Sequence, residues 1–158
     1  MVDIVDPATR SRMMAGIRGR NTRPELTLRS ALHRSGRRFR LHDGRLPGRP
    51  DIVLPARRAV VLVHGCFWHR HDGCHWCSTP GSNAEFWQKK FDANVARDAA
   101  QKLALRDLDW RVAVMWECSL RRPWQADSIG RLIDWLDAGE PEFESPLVRP
   151  ADNLDPKN

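Results

Sequence analysis

From His64 to Cys77 the chain reads His-Gly-Cys-Phe-Trp-His-Arg-His-Asp-Gly-Cys-His-Trp-Cys, with four histidines and three cysteines in fourteen residues. Imidazole and thiolate together are ligands for zinc, which in structural sites takes four protein donors. This segment offers more than four, so some of its histidines are free for other chemistry. A further cysteine, Cys118, ends the apolar run Arg111 to Trp116 and could reach the same place if that strand lies beside the one ending at Val63. Spacing alone leaves Cys77 and Cys118 both open as the fourth ligand. A second candidate is Asp51, which follows the turn Leu46-Pro47-Gly48-Arg49-Pro50 and heads a short apolar run. A carboxylate at such a sheet edge suits Mg²⁺, which needs few protein oxygens. The bland alternative is a turn cap. Many metal nucleases follow such an aspartate with acid-x-lysine on the next strand; here the next strand reads Val61-Leu62-Val63-His64.

Phe67 and Trp68 stand inside this polar loop, where a core role is awkward. With Trp87 they form an aromatic set that can stack on or wedge between bases, or can cover the metal site. Trp110, Trp116 and Trp135 fall in strand or helix periods and read as core, whereas Trp76 and Trp124 have no evident place. Glu25 is accounted for locally by a capping box with Thr22.

The elements that must position these residues alternate between helix and strand. Asp6-Pro7 starts a helix to about Ile17. Thr22 to Glu25 starts a second, with Leu28, Ala31 and Leu32 inward, which Gly36 ends. Arg38 to Leu41 alternates like a strand; Asp51–Leu54, Ala59–Val63 and Arg111–Trp116 are short runs of the kind buried on both faces. Ser82 to Glu85 repeats the capping-box spacing ahead of a long helix to about Leu108, with Phe91, Val95, Ala99 and Leu103 as its apolar stripe. Ser128 to Ala138 is a final amphipathic helix. Residues 1–140 form one expected domain, residues 1–20 an N-terminal arm, and residues 141–158 a loose tail. The pattern predicts an α/β fold, a mixed sheet flanked by helices.

Net charge is +6, unevenly spread. Residues 1–50 hold twelve arginines and four acids, while residues 101–158 are net acidic. An arginine-rich front half suits a polyanion, since the planar guanidinium pairs with phosphate and with guanine edges. No apolar run approaches the roughly 20 residues of a membrane span. With an acidic N-terminus that lacks a signal-peptide core, the expected location is the cytoplasm, where cysteines stay reduced and available to metal.

Taken together, these motifs resemble the very-short-patch repair endonucleases, the Vsr family. The resemblance runs through Ala8-Thr9-Arg10-Ser11-Arg12 with Met14, Thr22 and Glu25, Leu46 to Asp51, His64 to His69, Glu85-Phe86-Trp87, Asn94 to Asp98, Asp109 to Val112 and Trp116-Glu117-Cys118. It implies a divergent restriction-endonuclease-like fold and a Mg²⁺-dependent enzyme. Such an enzyme nicks double-stranded DNA 5′ to the T of a T·G mispair left by 5-methylcytosine deamination. By this resemblance Asp51 and the backbone carbonyl of Val63 hold Mg²⁺ (two ions in all), His69 is the general base, and Asp98 orients it. His64 and Glu25 complete the catalytic set. Structural zinc falls to Cys66, His71, Cys74 and Cys118, which favours Cys118 over Cys77. Phe67, Trp68 and Trp87 enter the DNA stack from the major groove and Met14 approaches from the minor groove. A monomer at the nucleoid is implied, with a functional link to a cytosine-5 methyltransferase and to mismatch-repair proteins. The residues alone also permit a zinc-stabilised DNA-binding protein without cleavage, or a phosphoesterase whose zinc is catalytic.

Overall fold

The computed structural model describes residues 20–150, so the expected first helix, Met14 and nearly all of the N-terminal arm lie outside the described residues. Among the described residues there are three helices and a five-stranded sheet. In chain order these are α1 (Arg23–Arg34), β1 (Arg40–Leu41), β2 (Ile52–Leu54), β3 (Ala59–His64), α2 (Ala84–Asp107), β4 (Arg111–Trp116), α3 (Gln125–Asp137) and β5 (Glu142–Glu144). The strands lie side by side in sequence order. The first three pair antiparallel and the last three parallel, so the sheet is mixed and changes sense at β3. No described helix is long and apolar enough to cross a membrane.

The continuous apolar runs are explained by burial on both faces. Ile52, Leu54, Ala59, Val61, Ala113 and Met115 point to one side, where they pack with Leu28 and Leu32 of α1 and Ile129, Leu132, Trp135 and Leu136 of α3. Val53, Val60, Leu62, Val112, Val114 and Trp116 point to the other, toward Leu105 of α2 and the cysteine-bearing loop. This alternation by twos divides the core into two layers. Arg111, at the start of β4, ties the sheet to α3: its guanidinium donates to the carbonyls of Trp135, Leu136 and Glu140 and lies over the Trp135 ring at 4.2 Å. A cation at the last carbonyls of α3 is well placed against that helix's dipole.

The sequence expectations fail in three places. The expected capping boxes do not form: Thr22 makes no side-chain cap, and the residue before α2 is Asn83 rather than the expected Ser82 and makes none either. Glu25 instead accepts the backbone N–H of Asn21 at 2.9 Å and turns inward, buried. The expected apolar stripe of α2 is not its packing face: Val95 and Leu103 are exposed, and Phe91 and Leu105 are the buried residues. Between those two, the half-buried positions Asn94, Asp98 and Gln101 share a face at four- and three-residue spacing. That face meets loops, so its residues are polar. Finally, the segment expected as a loose tail supplies β5, and Ser145 Oγ accepts the N–H of Trp116 at 2.9 Å.

Leu132 is fully buried between α1 and the sheet. Leu132→Ala is expected to lower stability by about 2–5 kcal/mol through lost transfer energy and an unfilled cavity, measured by urea unfolding.

Candidate active site and metal centre

The register of β3 decides what meets at its carboxyl end. Its parallel ladder with β4 aligns His64 with Trp116, so the chain leaving each strand enters the same space. After β3 the loop carries Cys66, His71 and Cys74; after β4 comes Cys118 on a single 3₁₀ turn. Their donor atoms all lie within 4.8 Å of one another. His71 offers Nδ1, which stands 3.6 Å from Cys66 Sγ and 3.5 Å from Cys118 Sγ, and its ring stacks on Trp116 at 4.0 Å. A hydrogen bond with Cys66 draws the Cys118 thiol down to about 6, while that bond and burial push Cys66 up and burial pushes Cys74 up. Three thiols and one imidazole, buried and convergent, could hold a metal ion, and they match the donors zinc takes in closed sites. Cys77 stands outside this group, half-buried. Trp76 and Trp124, unplaced by sequence, meet edge to face at 5.8 Å beside this cluster and line the second core layer.

The antiparallel hairpin of β2 and β3 brings Asp51, just before β2, to the same end. Asp51 Oδ2 accepts the backbone N–H of Val63 at 2.8 Å. Gly48 in the preceding turn has φ +71°, and a Cβ there would stand 2.5 Å from the side chain of Gln101, whose Nε2 donates to the Pro47 carbonyl. Glycine is therefore required for the turn to close against α2. Glu25 of α1 reaches Asp51 from the other side, held by Arg29 at 2.9 Å. Between them is His42, which sequence reasoning missed. Its Nε2 lies 3.5 Å from Glu25 Oε2 and 4.0 Å from Asp51 Oδ1. The signal was present in the hairpin: a ladder that aligns Leu41 with Ile52 sets residue 42 against residue 51. Burial pushes the Asp51 carboxyl up to about 6; Glu25 adds to this, while the Val63 N–H, His42 and His69 oppose it. Two carboxylates and an imidazole around one point fit a divalent cation. His42 Nε2, buried without a hydrogen-bond partner, is the orphan such an ion or its water would satisfy.

His64, His69 and Asp98 form a third group. His69 Nδ1 pairs with Asp98 Oδ2 at 2.6 Å, and its ring stacks on His64 at 4.0 Å, 3° from parallel. Burial and the neighbouring His69 hold the His64 imidazole down to about 3, so it stays neutral. Glu25, Asp51, Val63, His64, His69, Trp68 and Gln101 line one cleft of about 540 Å³. The sequence-nominated acids and histidines are thus brought together. Val63 contributes its N–H to Asp51 and is itself part of the cleft lining.

Phe67, Trp68 and Trp87 also converge, with ring centroids 5.0 to 5.9 Å apart. Phe91 joins them at 5.2 Å from Phe67, and Phe86 at 5.4 Å from Trp87. Arg70 caps the group, 4.1 Å over Phe91. Asn94 Nδ2 donates to the Trp68 carbonyl at 3.0 Å and fixes the loop to α2. The cluster is partly exposed at the rim of the cleft, with Phe86 the most exposed.

Comparison with known proteins agrees with this arrangement. A family described as DNA mismatch endonuclease Vsr matches residues 2–76. The DNA mismatch endonuclease Vsr of Escherichia coli (strain K12) is 46% identical over 121 residues, covering 77% of this chain and 77% of the relative. The type II nicking enzyme V.XorIIP of Xanthomonas oryzae pv. oryzae is 51% identical over 120 residues, 76% of this chain and 88% of the relative. The type II nicking enzyme V.NaeI of Lentzea aerocolonigenes is 35% identical over 147 residues, 87% of this chain and 82% of the relative. At these identities, over most of both lengths, the chain belongs to the Vsr family of DNA mismatch endonucleases.

Proposed function

We propose that this endodeoxyribonuclease nicks one strand of duplex DNA 5′ to the T of a T·G mispair, leaving a 5′-phosphate and a 3′-hydroxyl. The fold is read as restriction-endonuclease-like. The observation that carries the reading is His69, paired with Asp98 through Nδ1, lining the same cleft as Asp51. Asp98 accepts from Nδ1 and fixes the tautomer, which leaves Nε2 as the basic nitrogen. Water deprotonated there would attack the phosphorus, and the proton would pass to His69. His64, neutral and stacked on His69, holds that ring in plane. A magnesium ion bound at Asp51 and the Val63 carbonyl, with Glu25 acting through bound water and a second ion nearby, would supply charge stabilisation for the phosphoryl oxygens and the leaving 3′-oxygen.

Zinc at Cys66, His71, Cys74 and Cys118 is structural in this reading: all four positions are filled by protein, which leaves none open for substrate. It ties the loop carrying His69 and the aromatics to β4. Phe67, Trp68 and Trp87, with Met14 from the N-terminal arm, would enter the stack beside the mispair. Unstacking costs a few kcal/mol and least where pairing is already weak, which gives a physical basis for mismatch preference. The enzyme would act as a monomer at the cytoplasmic nucleoid, linked functionally to a cytosine-5 methyltransferase and to mismatch-repair proteins.

Three outcomes test this. With Mg²⁺ and a panel of T·G duplexes, wild type should nick 5′ to the T. Asp51→Ala should abolish nicking while retaining duplex binding, and Asp98→Asn should lower the single-turnover rate by about 10²-fold or more with little change in affinity. A wild type that leaves every duplex intact would sink the enzymatic reading. Second, Cys118→Ala should lose one equivalent of zinc by metal analysis together with cooperative folding. A folded variant lacking zinc and activity would instead assign zinc to catalysis. Third, the raised carboxyl of metal-free Asp51 makes the proton a competitor for the cation. The Mg²⁺ concentration for half-maximal nicking should be flat above pH 7 and rise about tenfold per pH unit below about pH 6, as protons occupy the ligand. Mg²⁺ dependence that does not change between pH 5 and 8 would remove Asp51 from the metal site.

A further inference from the structure

We propose that His42 is a direct nitrogen ligand of the cation held at Asp51, so that the site is a mixed nitrogen–oxygen site with a preference for Mn²⁺ over Mg²⁺. This rests on the reading of Asp51 as the cation-binding residue.

The geometry leaves one vacant donor atom on each side of a gap. Asp51 commits Oδ2 to the Val63 N–H, and the remaining oxygen, Oδ1, is the atom 4.0 Å from His42 Nε2. His42 Nε2 is buried and has no hydrogen-bond partner among the described residues. Two ligands bound to one ion at about 2.1 Å stand roughly 3–4 Å apart, and the Asp51 Oδ1–His42 Nε2 separation of 4.0 Å falls in that range.

A plain ion pair with Glu25 does not account for His42. Glu25 Oε2 already accepts from the Asn21 N–H and from Arg29, each at 2.9 Å, and the imidazole stands beyond hydrogen-bonding geometry. Glu25 therefore contributes negative charge to the gap, and its Arg29 partner keeps it oriented.

The backbone at His42 also argues for a placed side chain. Its φ is +46°, a conformation that a non-glycine residue keeps only where its surroundings over-determine it. Here the surroundings are the hairpin, in which the His42 N–H meets the Asp51 carbonyl at 3.4 Å. The same contact that strains residue 42 fixes its distance from residue 51. Imidazole among the donors shifts preference toward first-row transition ions, whereas Mg²⁺ favours an all-oxygen shell.

The test uses the full chain with its zinc cluster filled and MnCl₂ as probe, alone and with a nicked T·G duplex. Pulsed EPR with ¹⁵N-histidine labelling reads whether a histidine nitrogen is bonded to manganese. The expected result is one directly coordinated nitrogen, lost in His42→Gln. Mn²⁺ affinity by calorimetry should fall about tenfold in that variant, and Mg²⁺ affinity by less. Manganese bound in an Asp51-dependent way but without nitrogen coupling overturns the proposal and leaves the Asp51 site standing. So does a coupling that survives His42→Gln, or that vanishes in His64→Gln or His69→Gln. If Asp51→Asn binds manganese as well as wild type, the Asp51 reading itself fails, and the His42 assignment with it. Should His42→Gln not fold, His42→Asn and the wild-type spectrum carry the same decision.

Discussion

The structure depends on the position of β3, which pairs antiparallel with β2 on one side and parallel with β4 on the other. An antiparallel partner begins where β3 ends, and a parallel partner ends there too. The head of β2 and the tails of β3 and β4 must therefore share one edge. Asp51 precedes the first, His64 closes the second and Cys118 follows the third, so residues 67 positions apart in sequence line one rim. A register shift of one residue in β3 would turn its buried side chains over and carry Val63 away from Asp51. Burial of Ala59, Val60, Val61 and Leu62 in two separate core layers opposes that shift.

Beyond the aromatic packing of Phe67 and Trp68, two sets of polar and ligand contacts hold the loop after β3. The Cys66, His71, Cys74 and Cys118 cluster ties it to β4. The polar face of α2 ties it from above: Asn94 to the Trp68 carbonyl, Asp98 to His69, and Gln101 to the Pro47 carbonyl of the turn before Asp51. One helix face thus braces the aromatic loop, the candidate base and the candidate metal ligand at once. Displacing α2 would disturb all three together, and for this reason the half-buried face between its buried Phe91 and Leu105 is polar where a helix that only packed would be apolar.

That exchange also explains what could be read from sequence. The strands were legible because burial on both faces leaves unbroken apolar runs, and the ligand-rich loop because no packing demand produces such a density of histidine and cysteine. Cys118 and Asp51 could be nominated from strand ends. The face of α2 was not legible: apolar periodicity pointed to Phe91, Val95, Ala99 and Leu103, and only Phe91 is buried. Its structural partners are loop carbonyls and a histidine, for which hydrophobic patterning carries no signal. Glu25 misled in a related way. Its spacing from Thr22 satisfied a local rule, yet the Thr22 side chain caps nothing and the carboxylate turns inward. Beta5 was hidden by its short length and acidic ends, and His42 by its isolation, since its meaning depends on the β1–β2 register.

The cleft and the side chains behind it gather groups that oppose folding in the absence of other ligands. Asp51 is buried enough to resist ionisation, His64 to resist protonation, and His42 Nε2 and Arg29 Nε lack partners. Such groups persist when the fold over-determines their positions and something outside the chain satisfies them. Here the fixed elements are backbone ones: the Val63 N–H on Asp51, the hairpin contact at His42 and the turn closed by Gly48. Side chains held this way do not need to reorganise when charge arrives, and that is the physical condition for strong electrostatic stabilisation at a reacting phosphate.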